Sequence, residues 1–350
     1  RAKRLLAATG TVGVALSLTV AAPAAADPSW RVVASGLHSP RNLAVSPDGD
    51  VFVAESGRGG DGACTTHPAL GDACVGSSGS ITWVNPHGRD KRVVTGLPSI
   101  AGQEALGPMD LVVTDGGRYY ATIGLGADEE VRDGFGKAGE HLATVVTGRL
   151  DSDEHKEFAD VLAYEADANP DGTDVDSNPA GLSRAGEGLV VADAGGNAIV
   201  KVNEDGRFRT VAALEPTDEG ADAVPTAVVR GPDGAWYVSQ LTGFPFTQGS
   251  ASIWRIGASG EPTVYASGLT NVTDLAFKGR TLYAVQIATE GLLSGPVGSL
   301  VEVPKGSTSP TVVVGDLEAP YGVVITDGSA YVSTCSVCLT GGQVIKVSLR

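Results

Sequence analysis

Two observations predict an all-β protein, a six-bladed β-propeller: one pattern of short strands recurs six times, and an isolated strand precedes the first copy. In the clearest copy, GLVVADAGGNAIVKVNEDGR (188–207), two apolar strands flank a Gly-rich turn. Short apolar runs between Gly, Asn and Asp are typical of β-hairpins. The first strand of this hairpin recurs as GDVFVAES, GRYYATIG, GAWYVSQL, RTLYAVQI and SAYVSTCS.

Two further strands complete each repeat. One precedes the hairpin, at 40–45, 108–113, 179–184, 225–230, 272–277 and 320–325. The other follows it, at 91–97, 158–164, 208–214, 263–269 and 311–317. The later repeats begin 46, 47 and 48 residues apart and the earlier ones 68 and 71 apart, which indicates a four-stranded unit with two early insertions. Such repeats bury their faces on one another, so 27–350 is predicted to be one domain.

The isolated strand predicts how the ring closes. WRVVASGL (30–37) has the pattern of a fourth strand but stands before the first repeat, whereas QVIKVSLR (343–350) has no strand after it. Pairing the two completes the last blade and closes the ring. Closure also removes exposed strand edges, which otherwise pair with other chains.

Residues 1–26 are predicted to be a secretory signal peptide. Arg1, Lys3 and Arg4 precede an apolar run, and the segment ends in three alanines before Asp27. A basic start, an apolar stretch and a small-residue cleavage site are typical of such signals. The alternative is an uncleaved membrane anchor, because the run is nearly long enough to span a bilayer. We expect a secreted, extracellular protein without membrane contact after cleavage.

The charge balance limits the partners of the chain. It has 41 acidic and 25 basic residues, for a net charge of −16. Nucleic acids and anionic membrane surfaces require basic contact surfaces, so neither is an expected partner. We expect a monomer whose partner is an unknown ligand or an extracellular protein.

The four cysteines are predicted to form two local disulfides, Cys64 with Cys74 and Cys335 with Cys338. Disulfides are common in secreted proteins, and the ten-residue spacing of the first pair would stabilise its loop by roughly 3 kcal/mol. The alternative is a zinc site, for which all four would have to converge from the first and last blades. A redox-active CxxC would be expected at the start of a helix, and none is predicted there.

One acidic loop matches the first half of a calcium-binding loop. Oxygen-bearing side chains alternate before Gly172, but position twelve is Asn178, where a bidentate Glu would be required. If calcium binds this protein, we expect it here, in a structural role, rather than in the channel. The predicted ligands are Asp167, Asn169, Asp171, Asp174 and Asp176. The alternative is an ordinary solvated loop.

Alignment of the repeats places polar residues at one level of the ring. The second strands end in Glu55, Thr122, Asp193, Gln240, Gln286 and Thr334, and Asn42, Asp110 and Asp274 form a second layer. One interpretation is that they cap strand ends and bind turn amides. The functional interpretation is a ligand or cation site around the central channel, formed by Glu55, Asp110, Asp193, Gln240 and Gln286.

No catalytic residue is predicted. The sequence has no G-x-S-x-G, H-E-x-x-H or Walker motif, and its five histidines are scattered. GFGKAG (134–139) matches G-x-G-x-x-G, but it leads into a predicted strand rather than a helix, as dinucleotide binding would need.

Several segments carry a family resemblance. VADAGGNAIVKV resembles NHL-type six-bladed propellers. SGLHSPRNLAVSPDGDVFVAESG, GPMDLV, YEADANPDG and SGLTNVTDLAF make nearly the whole mature chain similar to the ScyD/ScyE family. The resemblance implies an exported propeller with no settled activity.

Gluconolactonase-type propellers, which are calcium-dependent hydrolases, are a second possible family. They place metal-binding Asn or Asp directly after the Pro of the innermost strand. In this chain those positions hold Arg41, Met109, Ala180, Thr226, Thr273 and Tyr321. None is a carboxylate or a carboxamide, which argues against lactonase activity.

These observations favour a non-enzymatic module that binds a ligand or a protein through one face. Long loops on a rigid scaffold carry specificity, so that face is expected to carry the insertions at 57–79 and 125–140. The alternative is an enzyme, either a divalent-metal hydrolase or a sugar-dehydrogenase-like propeller with a quinone cofactor.

Overall fold

The computed structural model describes residues 30–85 and 90–349, so the predicted signal peptide lies outside the described residues. It shows six separate antiparallel sheets arranged as the blades of a propeller, which confirms the predicted fold. Each blade has four main strands, and its first strand lies innermost. No helix in the described ranges is both long and apolar enough to cross a membrane.

The strands are numbered in chain order. Blade 1 has β2 (Pro40–Val45), β3 (Val51–Glu55), β5 (Gly71–Val84) and β6 (Lys91–Ala101). Blade 2 has β8 (Pro108–Val113), β9 (Arg118–Ile123), β10 (Thr144–Arg149) and β11 (His155–Asp160). Blade 3 has β12 (Pro179–Ala185), β13 (Gly188–Asp193), β14 (Ala198–Val202) and β15 (Phe208–Ala213).

The second half of the ring repeats this order. Blade 4 has β16 (Pro225–Arg230), β17 (Trp236–Gln240), β18 (Ala251–Ile256) and β19 (Pro262–Leu269). Blade 5 has β20 (Val272–Lys278), β21 (Thr281–Gln286), β22 (Val297–Val303) and β23 (Thr311–Glu318). Blade 6 has β24 (Val323–Thr326), β25 (Ser329–Thr334), β26 (Gly342–Ser348) and the N-terminal β1 (Trp30–Leu37).

A few elements lie outside the four-strand plan. Two short strands, β4 (Cys64–His67) and β7 (Ala105–Leu106), extend blade 1. The helices are α1 (Glu129–Gly134) and α2 (Val161–Ala168), and 3-10 turns occupy Asp115–Gly117, Gly136–Gly139 and Leu292–Ser294. One strand prediction was wrong: 158–164 was expected to be the fourth strand of blade 2, but that strand ends at Asp160 and α2 follows. Asp160 caps the helix, because its side chain accepts a hydrogen bond from the Ala163 amide.

The ring closes as predicted. Strand β1 pairs antiparallel with β26, from Trp30 opposite Val347 to Leu37 opposite Gly342. Val33, Ala34 and Leu37 of β1 are buried while Val32 is exposed, and two irregularities in the β1–β26 register interrupt a strict alternation. The N-terminal strand therefore supplies both the missing hydrogen bonds and part of the core of the last blade.

Apolar layers between neighbouring blades form the core. In β13, Leu189 and Val191 pack towards blade 2, whereas Val190 and Ala192 pack towards blade 4. This alternation follows from the two-residue period of a strand that is covered on both faces. Each fully buried Val or Leu contributes about 1.5–3 kcal/mol.

Side chains also join the innermost strands, which share no ladder hydrogen bonds between blades. Four hydroxyl groups donate to a backbone carbonyl of the next blade: Ser56 to Pro108 (3.0 Å), Thr226 to Val272 (2.9 Å), Thr273 to Tyr321 (2.6 Å) and Ser333 to Arg41 (2.7 Å). Between blades 3 and 4, Gly181 allows close contact, since a Cβ there would lie 2.7 Å from the Ala227 Cα.

The two insertions pack on each other and extend the core of blades 1 and 2. Cys64 and Cys74 form the predicted disulfide across the β4–β5 hairpin. The His67 ring nitrogen Nε2 lies 2.6 Å from the Leu125 carbonyl, and Phe135 is buried in the same apolar cluster as the hairpin. Much of both insertions is therefore structural.

The second predicted disulfide, between Cys335 and Cys338, is also present, and the described residues contain no free cysteine. It closes the loop between β25 and β26. With all four cysteines paired, the zinc alternative has no thiolate ligands.

The ring has two different faces. We call the side with the connections between second and third strands the loop face; these connections span 56–70, 124–143, 194–197, 241–250, 287–296 and 335–341. The connections between blades also lie there. The opposite side, with the short connections between first and second strands, is the turn face.

We expect ring closure to dominate stability. Deleting residues 27–37 should lower the melting temperature by at least about 10 °C. Burial of the Val33 and Leu37 side chains is worth about 5 kcal/mol. For a chain of this size, each kcal/mol corresponds to about 2 °C in melting temperature. The single substitution Leu37→Ala should cost about 2–5 kcal/mol. The measurement is thermal unfolding followed by circular dichroism.

The matched control is Val32→Ala, on the same strand but exposed, which should melt within about 2 °C of the wild type. If the deletion variant melts as the wild type does, β1 does not hold the ring closed.

Candidate functional site

The polar residues that end the second strands are mostly used within their own blades. Glu55 accepts hydrogen bonds from Arg92 at 2.7 and 3.0 Å and from the His38 amide at 2.6 Å. The Gln240 side-chain oxygen accepts from the Ser252 amide at 3.0 Å. These groups are buried and partnered, and they offer few free oxygen atoms to a ligand.

Gln286 has the same type of environment. Its side-chain oxygen accepts from the Thr270 amide at 2.8 Å, and its nitrogen donates to the Ser299 hydroxyl at 3.2 Å. In Glu55, Gln240 and Gln286 the observed contacts are those expected of residues that fix strand ends. Asp193 differs from them, because it has an acidic neighbour.

Asp110 and Asp274 lie inside the central channel and join neighbouring blades. Each carboxylate accepts from its own following amide and from an amide of the next blade: Leu182 for Asp110 and Val323 for Asp274, both at 2.7 Å. Burial raises the pKa of Asp274 to about 7. Burial, and then the negative charge of Asp274, raise the pKa of Asp110 well above its ordinary value.

The channel is open towards the turn face and filled towards the loop face. A cavity of about 350 Å³ opens on the turn face, lined by Asp110, Asp274, Arg230 and apolar side chains of the inner strands. At the other end, the Arg41 guanidinium donates to the Ala105 carbonyl at 2.8 Å and lies 4.9 Å from the centre of the Tyr321 ring. Both side chains are buried.

Asn42 is an unsatisfied polar residue in this channel. It is 1% exposed, and neither its side-chain nitrogen nor its oxygen has a hydrogen-bond partner among the described residues. Its side chain lies near Asp110 and opposes the rise in the pKa of that carboxyl.

An acidic basin lies on the loop face beside blade 3; we define it as Glu165, Asp171, Asp176 and Asp193. Glu165, on α2, is 2% exposed, and its Oε1 atom has no hydrogen-bond partner among the described residues. Asp193 accepts from the Asn178 amide at 2.6 Å and from the Ser177 hydroxyl at 2.7 Å. The basin brings together one channel candidate and two loop candidates, which the sequence presents as rival sites.

Glycine at position 196 makes room for these carboxylates. A Cβ there would lie 2.5 Å from Glu165 Oε2 and 3.4 Å from Asp193 Oδ2. Burial, followed by the charges of Asp193, Asp171 and Asp176, raises the pKa of Glu165 to about 8. Burial and the neighbouring carboxylates likewise raise the pKa of Asp176 to about 6. The basin therefore concentrates carboxyl groups whose raised pKa values favour their protonated forms.

The other predicted loop ligands have different positions. Asp167 is exposed on α2 and Asp174 is exposed in the loop. The Asn169 amide holds the loop itself, since its nitrogen donates to the Thr173 carbonyl at 2.8 Å and its oxygen accepts from the Gly172 amide at 3.0 Å. Asp171 accepts from the Asn197 side chain at 2.9 Å, which links the loop to blade 3.

Ligand distances limit what the basin can hold directly. In the part of the chain that the structure describes, the one group of three His, Cys, Asp or Glu ligand atoms within 4.8 Å of one another is Glu318, Cys335 and Cys338. Both of those cysteines are in a disulfide. A cation in the acidic basin would thus need water or carbonyl ligands in addition to carboxylates.

An apolar patch lies on the loop face of blades 4 and 5; we define it as Phe244, Phe246, Leu292, Leu293 and Val297. Phe244 is 73% exposed, Leu293 69% and Val297 51%. The two loops that carry the patch are joined, because the Gln248 side chain donates to the Thr289 carbonyl at 3.0 Å. Clustered exposed apolar side chains on a soluble protein are typical of interaction sites.

The loops of blades 3 to 5 that form this part of the face are strongly acidic. Segments 165–178, 214–224, 241–250 and 287–296 together contain ten Asp and Glu and no Lys, Arg or His. Thus the apolar patch and the acidic basin lie in one electronegative region.

Comparison with solved structures agrees with the architecture. A glucose dehydrogenase structure has a TM-score of 0.55 at 14% identity, with 92% of this chain and 100% of that chain covered. A protein of unknown function from Bacteroides thetaiotaomicron also gives 0.55, at 11% identity and 91% and 75% coverage. A virginiamycin B lyase from Staphylococcus aureus gives 0.47, at 14% identity and 92% and 100% coverage.

At these identities the similarity establishes the six-bladed β-propeller fold alone. No protein-family model matches the chain, and the comparison with curated proteins gives no match. A shared fold does not define an activity, so the function has to be argued from the site.

The channel carboxylates predict a pH dependence. The pKa of Asp274 rises from 3.8 to about 7 on folding, so its contribution to stability is complete below pH 3.8 and is lost as the pH rises through about 7. Asp274→Asn removes this contribution. Between pH 5 and pH 8 the unfolding free energy of the wild type should therefore fall by about 2–3 kcal/mol relative to the variant.

Urea unfolding at several pH values measures this difference. The control is Asp151→Asn, at an exposed carboxylate whose pKa the Arg149 side chain lowers, and its difference from the wild type should be flat over that range. A flat difference for Asp274→Asn as well would mean that Asp274 is charged throughout.

Proposed function

We propose that this chain is an exported, extracellular binding protein of the ScyD/ScyE type, which docks a cationic, amphipathic segment of another protein on the loop face of blades 3 to 5. The observation that carries the proposal is the position of the apolar patch among loops with ten acidic and no basic residues. Apolar side chains of such a segment would cover Phe244 and Leu293, and its Lys or Arg side chains would face the acidic loops.

Apolar burial and charge complementarity contribute differently to such a complex. Burying a side chain such as Phe or Leu stabilises a complex by about 1.5–3 kcal/mol before the cost of association is subtracted. Charge complementarity contributes mainly to association rate and specificity. The patch supplies affinity, and the acidic loops select for a cationic partner.

The contacts in the channel support a binding role over the alternative enzymes. Arg41 and Tyr321 fill the loop-face end, where the resemblance to a hydrolase would place its metal ligands. Asp110 and Asp274 are occupied in joining blades. Asp110 and Asp274 also lie away from the loop face. The exposed apolar patch is therefore the better candidate for a recognition surface.

We further propose that calcium binds the acidic basin in a structural role. The predicted loop contributes Asp171 and Asp176, and blade 3 contributes Asp193. Glu165 takes the place expected for Asp167 and Asn169, since its buried Oε1 atom has no partner in the described chain. Calcium accepts oxygen ligands in flexible numbers and completes its shell with water and carbonyl groups. The ion would fix α2 and its loop to blade 3.

The docking proposal is tested with a labelled amphipathic peptide of Lys and Leu, and with the same design containing Glu in place of Lys. By fluorescence anisotropy, the protein should bind the Lys peptide and reject the Glu peptide. The double variant Phe244→Ser/Leu293→Ser should bind the Lys peptide at least about tenfold more weakly, a loss of about 1.4 kcal/mol.

Val264 and Val312 provide the matched control, because they are 54% and 60% exposed but lie on the outer strands of blades 4 and 5. Val264→Ser/Val312→Ser should bind within about twofold of the wild type. Equal binding of both peptides, or unchanged binding by the patch variant, refutes the docking site.

Calcium should raise the melting temperature of the wild type. At 100 times the dissociation constant the gain is about 2.7 kcal/mol, which corresponds to about 5 °C. Glu165→Gln should abolish this rise, because it removes the buried unpartnered carboxylate. Asp167→Asn should retain it.

Differential scanning calorimetry with calcium and with a chelator gives the comparison. A wild type that does not respond to calcium ends the proposal. If the calcium response is lost in Asp167→Asn but kept in Glu165→Gln, the ion binds the loop predicted from the sequence and not the acidic basin.

A further inference from the structure

A basic groove lies on the turn face between blades 3 and 4; we define it as the cavity bordered by Arg184, Lys201, Arg209 and Arg230. Its volume is about 380 Å³, within the range of small-molecule sites. Trp236 and Val190 form its apolar floor, and no carboxylate lines it. The chain has a net charge of −16, so the positive charge of this groove is opposite in sign to that of the whole chain.

The register of blade 3 places two of these cations side by side. Lys201 lies opposite Val190 on one neighbouring strand and opposite Arg209 on the other. Residues directly opposite in antiparallel strands point to the same side of the sheet, here the side that faces blade 4. Like charges in directly opposed positions destabilise a sheet, so folding places Lys201 and Arg209 against their mutual repulsion.

Blade 4 supplies the opposite wall. The Arg230 guanidinium lies 4.7 Å from the centre of the Trp236 ring, which is 8% exposed. This cation–π contact keeps Arg230 at the edge of the groove without neutralising its charge. On the blade 3 side, Arg184 donates to the Gly186 carbonyl at 3.2 Å, which is likewise a neutral partner.

None of the four groove cations forms an ion pair with any residue of 30–85 or 90–349. Elsewhere in the described chain, Arg149 pairs with Asp151, Arg207 with Asp205 and Arg255 with Asp233, whereas the exposed Arg58 and Arg118 form no ion pair. Acidic residues outnumber basic ones 41 to 25, so acidic partners are plentiful in this chain. What distinguishes the groove is that four cations without ion-pair partners among the described residues border one cavity.

We propose that the basic groove binds a compact polyanion that carries two or more phosphate or sulfate groups. Arginine side chains bind such groups through two parallel N–H donors, and lysine adds a point charge. A ligand between Lys201 and Arg209 on one side and Arg230 on the other would relieve the repulsion within blade 3. This site lies on the opposite face from the proposed docking surface and is independent of it.

Isothermal titration calorimetry at low salt tests this site with three probes: tripolyphosphate, a sulfated disaccharide and inorganic phosphate. We expect one of the two polyanions to bind at least about tenfold more tightly than inorganic phosphate, with an affinity that falls as salt screens the charges. The preferred polyanion identifies phosphate or sulfate as the ligand chemistry.

The double variant Lys201→Met/Arg209→Met should weaken binding of the preferred polyanion at least about tenfold, while its binding of the Lys and Leu peptide stays unchanged. The control Arg149→Met/Arg207→Met removes the same charge at ion-paired sites outside the groove and should stay within about twofold. Absence of binding by either polyanion overturns the proposal. So does an equal loss in the control, because the attraction would then be non-specific.

Discussion

Six separate sheets must be held in a ring, and the rest of this structure depends on how that ring is closed. Neighbouring blades share no ladder hydrogen bonds, so they are held by apolar layers and by a small number of side chains at the innermost strands. Strand β1 converts an open row of blades into a ring by pairing with β26. Asp110 and Asp274 then tie blade 2 to blade 3 and blade 5 to blade 6. Burying these carboxylates is unfavourable when they are charged, yet each receives two short amide hydrogen bonds in return.

This use of the channel determines where function can be located. In many ligand sites, polar groups converge in the largest concave region, which in a propeller is the axial channel. Here the channel carboxylates are partnered, and Arg41 closes the loop-face end. The Asn42 amide in the channel has no partner among the described residues, and neither do three ionisable groups outside the channel: Glu165 in the acidic basin, and Lys201 and Arg209 in the basic groove. We therefore propose recognition on the two faces rather than at the axis.

The sequence predicts the fold well because each repeat carries the local strand and turn patterns of one blade. The two-residue period, the Gly and Asp turns and the unpaired WRVVASGL segment lead directly to six blades and their closure. The segment 158–164 misled the assignment, since its apolar residues suit either a strand or the start of α2. Glu165 was missed for the same reason: only the helix brings it next to Asp193, in another blade. The basic groove was hidden because its cations come from four strands, and the cross-strand register alone reveals Lys201 opposite Arg209.

The two faces carry opposite local charges, and their separation lets both operate. An inner strand of six residues, such as Pro225–Arg230, spans about 20 Å between the loop face and the turn face. The Debye length at physiological salt is about 8 Å, so charges on one face are largely screened from the other. The acidic loops can therefore attract a cationic protein segment without neutralising the basic groove, and an anion in the groove does not weaken that attraction. A thin sheet could not separate the two sites in this way, whereas a closed ring of blades holds them at a fixed distance.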